Sequence, residues 1–533
     1  MADTSELSPV AKARQRSRQA WNSRSGWDQL YQDAYDYVLP NRRPGGQGVS
    51  KNPATYIFDM TGPNSAIYGA GQLQRQVFPL STPFVAETGP LLAQRLSAGE
   101  RAVFDRELNR VANFVYPFFQ SGSFDTAVHE YCTDLMIGTG ALLPLKGPSI
   151  EEPLLFCTIP QDEIAIGQDA WGRTNFVSWK RANLGREAAL LAWPNGNFTK
   201  DFRDRAKDRP YEEITVYQDF RKLPDGRWEF VAYLEKDGDD FIARSVTLTQ
   251  PIAVGRFYRV AGEAYGRGPV LFALPTIKTV NKAQELVLKS AAIQLLGIWG
   301  YRAGGTFNPD TIRLGPGEFW PMHSTGGVLG PDVQRLDPAS GRLDVARLIV
   351  GGGQQQIRDA MLDTRIYDDG GTPPSASEVA AQLQQNTNIH VGAYGRLERE
   401  TVPVVVARSM EILNGWGLLP QLMSFNELLT SIYFNSPARM AMKADQTRAA
   451  MQYYELAATI APQSVSEYIH KGRLLEHVRQ TSVVPATILP SPEEAAAARE
   501  QAQGEQLAGV AGEATVRAAP QLVQAAQAEA EAA

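Results

Sequence analysis

Cysteine and histidine are both scarce in this chain. Two cysteines, Cys132 and Cys157, occur in 533 residues. They are too few for a disulfide framework or a four-thiolate metal site, and read as buried thiols in a reducing compartment. The five histidines, His129, His323, His390, His470 and His477, are far apart. His470 and His477 miss the i, i+4 spacing of helical metal ligands, so each histidine reads as structural. No run of about 18 apolar residues is present, which excludes a membrane-spanning helix. The opening "MADTSELSPVAKARQRSRQAW" lacks the apolar stretch of a signal peptide. The nucleotide-binding pattern G-x-x-x-x-G-K-[ST] is missing, as are G-x-S-x-G, H-E-x-x-H and a paired C-x-x-C. "GGGQQQ" (351–356) has the glycines of a phosphate loop without its lysine. The expectation is a protein with no catalytic activity, no cofactor and no metal.

What is present describes a large folded protein. Hydrophobic residues make up 43% and charged residues 21%, enough to bury a sizeable core. The length corresponds to roughly three or four domains' worth of material. Lys and Arg number 52 against 58 Asp and Glu, a formal charge of -6. An acidic balance argues against tight, sequence-independent coating of DNA, although a passive contact is compatible with it. The basic cluster Lys12, Arg14, Arg16 and Arg18 reads as a solvated helix face.

The periodicity changes along the chain. Residues 20 to 145 show apolar positions at helical spacing, punctuated by Pro40, Pro79 and Pro117. Residues 150 to 262 alternate apolar and polar around "PDG" (224–226) and "DGDD" (237–240), the pattern of antiparallel strands joined by tight hairpins. Helix returns over 269 to 297, with Leu274, Ile277, Leu288, Ala291 and Leu295 on one face. Pro269 and Pro275 place the start of regular helix after about 275. Glu285 precedes Lys289 by four residues, in the favourable order. Residues 342 to 362 read as a second helix, in which Gly351–Gly353 imply a bend or interruption. Ser375 and Glu378 have capping-box spacing at the head of a long helix. At 1.5 Å per residue it would reach about 60 Å if straight; Gly392, Gly395 and Pro403 argue for a kink. Residues 425 to 490 are again helical, and the 41 residues from Glu493 hold 16 alanines and no aromatic ring, too little to bury a core. The fold class is therefore α+β, predominantly helical.

Candidate chemistry is thin. The acids of "DFRDRAKD" (201–208) and "YDDGG" (367–371) supply fewer converging oxygens than a divalent cation needs. Five rings, Trp299, Tyr301, Phe307, Phe319 and Trp320, fall within a short segment rich in Gly and Pro. They exceed what so small a module needs for its own core and are candidates for a protein–protein interface.

The order of these elements resembles the portal (head-to-tail connector) proteins of short-tailed, T7-like bacteriophages. The stretches that carry the resemblance are "GEAYGRGPVLFALPTIKTVNKAQE" (262–285), "PSASEVAAQLQQ" (374–385), "GRLERETVPVVVARSMEILNGWGLLP" (395–420), "YFNSPARMAMKADQTRAA" (433–450) and "VVPATIL" (483–489). The similarity runs from about residue 20 to 490.

That resemblance implies a dodecameric ring at one capsid vertex, through which double-stranded DNA is packaged and later ejected. It implies a wing over 1–267 and a stem helix over 268–297. A clip over 298–341 would carry the aromatic set and meet a packaging motor (the terminase large subunit), then a head–tail adaptor or tail protein. A second stem helix is expected over 342–365 and a tunnel loop over 366–374, with Asp368, Asp369, Gly370, Gly371, Thr372 and Pro373 facing DNA. A long kinked wing helix over 375–419, a crown over 420–490 and an Ala/Glu/Gln-rich tail over 491–533 complete it. Further implied partners are the major capsid protein and scaffold; the implied location is the virion after assembly in the host cytoplasm, with no membrane.

Under that reading "GEAYGRGP" is the wing-to-stem joint. Gly262, Gly266 and Gly268 would supply backbone angles closed to other residues, and Pro269 would fix the start of the helix. Lys278, Lys282 and Lys289 would either form positive rings in the channel or bridge neighbouring subunits through acids such as Glu285. Repeated twelve times, the chain carries a charge of about -70, a wall that repels DNA between a few basic bands and lets it slide. A capsid scaffold or tail adaptor without a channel is the alternative, and a DNA-processing enzyme with an unrecognised carboxylate site a more distant one.

Overall fold

The computed structural model describes residues 8–40, 42, 55–79, 84–89, 92, 94–236, 238, 240–296, 298–301, 333–336, 343–363, 365, 376–419, 430–434 and 437–460, with residues 469, 472, 474, 475 and 478 beyond them. The chain divides into two units, Met1–Arg439 and Met440–Ala533. In the second, helix runs from Met440 to Ile460.

The first unit is α+β. Its opening helix, Pro9–Val38, starts where Ser8 accepts a hydrogen bond from the Ala11 amide (3.2 Å) and Pro9 occupies the first turn. Its buried face runs Val10, Ala13, Ser17, Ala20, Arg24, Tyr31, Ala34 and Val38, the three-and-four spacing of a one-sided helix. The cluster read as solvated divides here. Lys12 and Arg18 are exposed, but Arg14 donates to the carbonyls of Leu234 (3.0 Å) and Gly238 (2.8 Å) and docks the helix on a sheet.

Helices Thr61–Val77, Ala98–Ser121 and Phe124–Ile137 follow, with strand β1 (Phe84–Thr88) between the first two. Ser97 and Glu100 close a full capping box on Ala98–Ser121. Pro117 lies inside that helix rather than at its end. The next turn packs: Phe119, Phe124 and Phe156 meet with ring centroids 4.8–5.1 Å apart, and their burial offsets the lost backbone bond.

Strands begin earlier than the alternation suggested. β2 (Thr139–Lys146) is buried over its first six residues, all but Thr139 without a polar side chain, so it carries no two-residue period. It lies between β3 (Leu154–Ile159) and β9 (Ala253–Arg256) in a three-stranded sheet. A five-stranded antiparallel meander holds β4 (Ile164–Gln168), β5 (Thr174–Gly185), β6 (Glu213–Lys222), β7 (Trp228–Leu234) and β8 (Ala243–Thr247), in that order. The β6–β7 hairpin turns at Pro224-Asp225-Gly226, with Gly226 at φ 88°, the left-handed region glycine tolerates. Two short helices, Arg186–Ala192 and Lys200–Asp208, interrupt the block between β5 and β6. "DFRDRAKD" lies in the second, two of its three acids ion-paired along the helix: Asp201 to Arg205 at 2.7 Å and Asp204 to Lys207 at 3.2 Å.

β10 (Tyr258–Arg259) and β11 (Gly266–Arg267) pair as a short ribbon. The helix after them is Pro269–Leu296, starting at Pro269 with Pro275 inside it. Val270, Ala273, Leu274, Ile277 and Val280 are buried on either side of Pro275; that packing outweighs the roughly 3 kcal/mol a proline costs in a helix interior. Only the first half of the expected apolar stripe is covered, since Leu288 is exposed. β12 (Ile298–Tyr301) pairs antiparallel with β13 (Val333–Leu336). The helix Leu343–Ala360 then runs unbroken through Gly351–Gly353. A Cβ on Gly353 would lie 2.4 Å from Val280 Cγ2, so this glycine lets two helices approach closely, and burial rather than propensity keeps the helix whole.

The long helix is Ala376–Gly415, continuous through Pro403. Ser375, the expected cap, lies outside the described residues. β14 (Thr430–Phe434) returns to pair with β1, Phe84 opposite Phe434; both strands fall in stretches whose spacing reads as helical, 425–490 and 20–145, and a partner about 350 residues away fixes them instead. The main hydrophobic cluster sits where the N-terminal helices, the three-stranded sheet, Pro269–Leu296 and the long helix converge, around Tyr35, Leu73, Tyr131, Met136, Phe257 and Leu397.

Candidate functional site

The joint that leads into the Pro269–Leu296 helix is built from close backbone approach. Gly268 donates to the Ile137 carbonyl (2.7 Å), Gly266 to Thr139 Oγ1 (2.8 Å), and Phe257 to the Gly138 carbonyl (2.9 Å). A Cβ on Gly266 would stand 2.3 Å from the Gly138 oxygen, and one on Gly268 2.2 Å from the Met136 oxygen. These two glycines are needed for packing. Of the three expected at unusual backbone angles, only Gly262 has a left-handed φ, 87°, and nothing lies near it.

Beyond the joint, a polar hub ties three segments together. Asn281 is buried on the same helix face as Ile277. Its Oδ1 accepts from the amides of Phe58 (2.7 Å) and Asp59 (3.1 Å), and its Nδ2 donates to the Tyr56 carbonyl (2.7 Å). Asp59 in turn accepts from Gln354 of the Leu343–Ala360 helix (2.6 Å) and from the Thr61 amide (3.0 Å). One side chain thereby holds an extended segment as a neighbouring strand would. At the far end of Leu343–Ala360, Leu362 takes φ 63°, rare for a bulky residue. The Asp363 amide returns to the Arg358 carbonyl (3.0 Å). Burial raises the Asp363 pKa, but donation from Arg365 and Ser65 outweighs it and holds the carboxyl below its usual range.

The three lysines are all engaged within the chain. Lys278 pairs with Asp33 at 2.6 Å and lies 5.3 Å from the centre of the Tyr37 ring. Lys282 and Lys289 both reach Glu285, at 2.9 and 2.6 Å, and are themselves exposed. Their hydrogen bonds lower the Glu285 pKa. On the same helix pair, Leu286, Leu288, Leu348 and Ile349 are exposed, Leu348 to 77%. Leu286 and Leu288, two residues apart, point to different sides of their helix, so the exposed apolar side chains are spread around the helix pair.

The long helix is clamped to the strands by charge. Glu400 pairs with Arg256 at 2.8 Å, and Arg256 also donates to the Gly172 carbonyl (3.2 Å). Thr401 and Tyr131 share a buried hydroxyl bond of 2.6 Å. Glu411 accepts from the Leu248 amide (2.9 Å), from Thr249 and from Arg408 (2.9 Å).

Trp299 and Tyr301 stand in β12, opposite Arg335 and Val333. Phe307, Phe319 and Trp320, and all of Asp368, Asp369, Gly370, Gly371, Thr372 and Pro373, lie outside the described residues. Sequence reasoning missed Asn281, Asp59, Gln354 and Asp363, each of which has a partner more than 200 residues away in the chain. A polar residue four positions after Ile277, in an apolar stripe, was the available signal. Among the described residues, no group of three or more His, Cys, Asp or Glu is placed to hold a metal, and no helix is long and apolar enough to cross a membrane.

Comparison with known proteins adds the following. The family model described as "Bacteriophage head to tail connecting protein" matches residues 10–489. The chain is 21% identical over 407 residues to the portal protein of Enterobacteria phage T3, covering 75% of this chain and 74% of that one. Among solved structures it is similar to a chain of the virion of a native gene transfer agent particle, at 14% identity and TM-score 0.34 over 82% of this chain and 92% of that chain. It is similar too to a chain of the neck of that particle, computed with C12 symmetry, at 13% identity and TM-score 0.35 over 76% and 91%.

Proposed function

The chain belongs to the bacteriophage head-to-tail connecting protein family, and from that premise we propose that it is a portal, a ring of identical copies at one capsid vertex through which double-stranded DNA enters and leaves. The observation that carries the reading is the extent of the family match, residues 10–489. The role is structural. The energy for packaging comes from a separate motor, in keeping with a sequence that has no phosphate-binding loop.

Local features support ring closure. Leu286, Leu288, Leu348 and Ile349 are exposed on one helix pair, and a neighbouring copy would remove them from water at about 25 cal/mol per Å². In this reading Pro269–Leu296 and Leu343–Ala360 are the stem, β12, β13 and the residues between them the clip, 366–374 the tunnel loop and Ala376–Gly415 the wing helix. The clip meets the motor and then the tail adaptor; the wing meets the shell. Lys278 is neutralised inside the subunit by Asp33, which assigns it to fastening the stem to the first helix. Lys282 and Lys289 outnumber Glu285, so each copy adds a net positive charge to one level of the stem. Repetition makes that level a basic band on an acidic wall, which holds few phosphates at once.

Electron microscopy of the purified protein tests this reading. Rings with an axial opening wide enough for a duplex are expected. A monomer, or a solid assembly as for a scaffold or adaptor, would overturn it. Lys282→Gln with Lys289→Gln should leave rings intact and change the amount of DNA packaged; unchanged packaging would remove the band from the mechanism.

A further inference from the structure

The β4–β5 hairpin ends in a turn, Asp169–Arg173, that is held rigid yet presents a large ring to solvent. Asp169 Oδ1 accepts from the amides of Trp171 (2.9 Å) and Arg173 (2.8 Å), and the Asp169 amide donates to the Arg173 carbonyl (2.9 Å). Gly172 has φ 74°. Two guanidiniums staple the turn from outside: Arg256 on the Gly172 carbonyl (3.2 Å) and Arg259 on the Trp171 carbonyl (3.4 Å). Arg256 is itself fixed by Glu400. On this frame the Trp171 residue is 83% exposed. Exposed tryptophan on pre-ordered backbone is the composition of an interface hot spot, because the ordering entropy is already lost before binding.

The other end of β5 carries a matching surface. There Glu187 donates its amide to the Pro210 carbonyl (3.1 Å) and Arg186 to the Glu212 carbonyl (3.2 Å), which sets helix Arg186–Ala192 against residues 210–212. Leu191 (74%) and Tyr211 (84%) are exposed. Glu187, four residues before Leu191 on the same helix face, is exposed with Glu213 and Arg209. The two surfaces are separated by the 12 residues of β5, about 40 Å of extended strand, so they never meet within one copy.

We propose that Trp171 docks on the Leu191–Tyr211 surface of a second copy of this chain, making a head-to-tail contact between adjacent wings. The knob carries the exposed cation Arg173, and the socket carries the exposed anions Glu187 and Glu213 alongside Arg209. Two different surfaces on opposite ends of one sheet make a heterologous contact, and repetition of a heterologous contact closes a ring when its rotation divides a full turn. The inference rests on the ring reading above and assigns one of its contacts.

Cysteine cross-linking tests it in the full chain on a Cys157→Ser background. Trp171→Cys combined with Leu191→Cys, mildly oxidised, should give a ladder of linked subunits on a non-reducing gel, and neither single variant should. Arg173→Glu and Glu187→Arg should each raise the protein concentration needed for half-assembly about tenfold, and the pair together should restore it. Trp171 is exposed in the single chain, so Trp171→Ala should leave the circular dichroism spectrum of the folded chain unchanged. Trp171→Ala rings that close at wild-type concentration, with no ladder in the double-cysteine protein, would overturn the contact. Normal rings that then fail to join shells would assign the knob to the shell protein, which also overturns it. In either case open rings in the microscope would leave the portal reading standing, whereas their absence from the wild type defeats that reading by itself.

Discussion

Replacing Asn281 by alanine removes three hydrogen bonds at once. The amides of Phe58 and Asp59 lose their acceptor and the Tyr56 carbonyl loses its donor, at a position 6% exposed. A typical intramolecular hydrogen bond contributes about 1 kcal/mol net, and a buried group left unpaired costs about 1–3 kcal/mol. Two of the three bonds are only part-buried, so the expected loss is about 2–4 kcal/mol rather than three full penalties. The loss is local. Residues 56–60 are held to the Pro269–Leu296 helix by this side chain, and Asp59 then carries the tie on to Gln354. Hydrogen exchange by mass spectrometry on peptides covering 56–64 should therefore quicken by about 30-fold or more, at about tenfold per 1.4 kcal/mol, if exchange proceeds through local opening. Peptides in β6 and β7 should not change. Asn281→Asp keeps the acceptor but sets a carboxylate beside Asp59 and the Tyr56 carbonyl, and should be at least as harmful. Unchanged exchange in 56–64 for both variants would refute the claim that this hub organises the stem.

Other expectations follow from single features. Gly353→Ala places a Cβ 2.4 Å from Val280 Cγ2 and should cost about 1–3 kcal/mol by overpacking. Gly352→Ala meets nothing within 4 Å and should stabilise by about 0.5–1 kcal/mol; denaturant midpoints compare the two. Glu400→Gln leaves Arg256 buried without its counter-charge and should cost about 3 kcal/mol, read as a lower unfolding temperature. Burial pushes the Asp219 carboxyl up to about 7, well above the usual carboxylate range. The folded state then retains a proton that the unfolded state releases above pH about 4, so this group's contribution to stability falls as pH rises from about 4 to about 7 and is constant above that. Asp219→Asn should flatten the stability profile across that window; an unchanged slope would show that the carboxyl is ionised in the fold.

Trp171 is a case where the residue type was visible and its role was not. The sequence reading gave Trp171 no part, and only the structure brings Arg256 and Arg259, more than 80 residues on, to staple its turn. The glycines of "GEAYGRGP" were legible as special for the wrong reason: local conformation explains Gly262, while Gly266 and Gly268 answer to the backbone of 136–138. The same holds for Gly353, which propensity marked as a break and packing against Val280 made a contact.

By itself the amino-acid order determined the broad division into helical and strand regions, though not β1, β14 or the two helices inside the strand block, together with the hairpin at Pro224-Asp225-Gly226, the charge balance and the likeness to head-to-tail connectors. These rest on periodicity, turn chemistry and local ion pairs such as Glu285 with Lys289, all within a few residues along the chain. Tertiary structure alone decided which lysine is tied down by Asp33, why Asn281 is polar in an apolar stripe, and which glycines are needed for close approach. Each of those depends on a partner distant in sequence, and a one-dimensional pattern carries no information about which distant groups fill the space around a side chain.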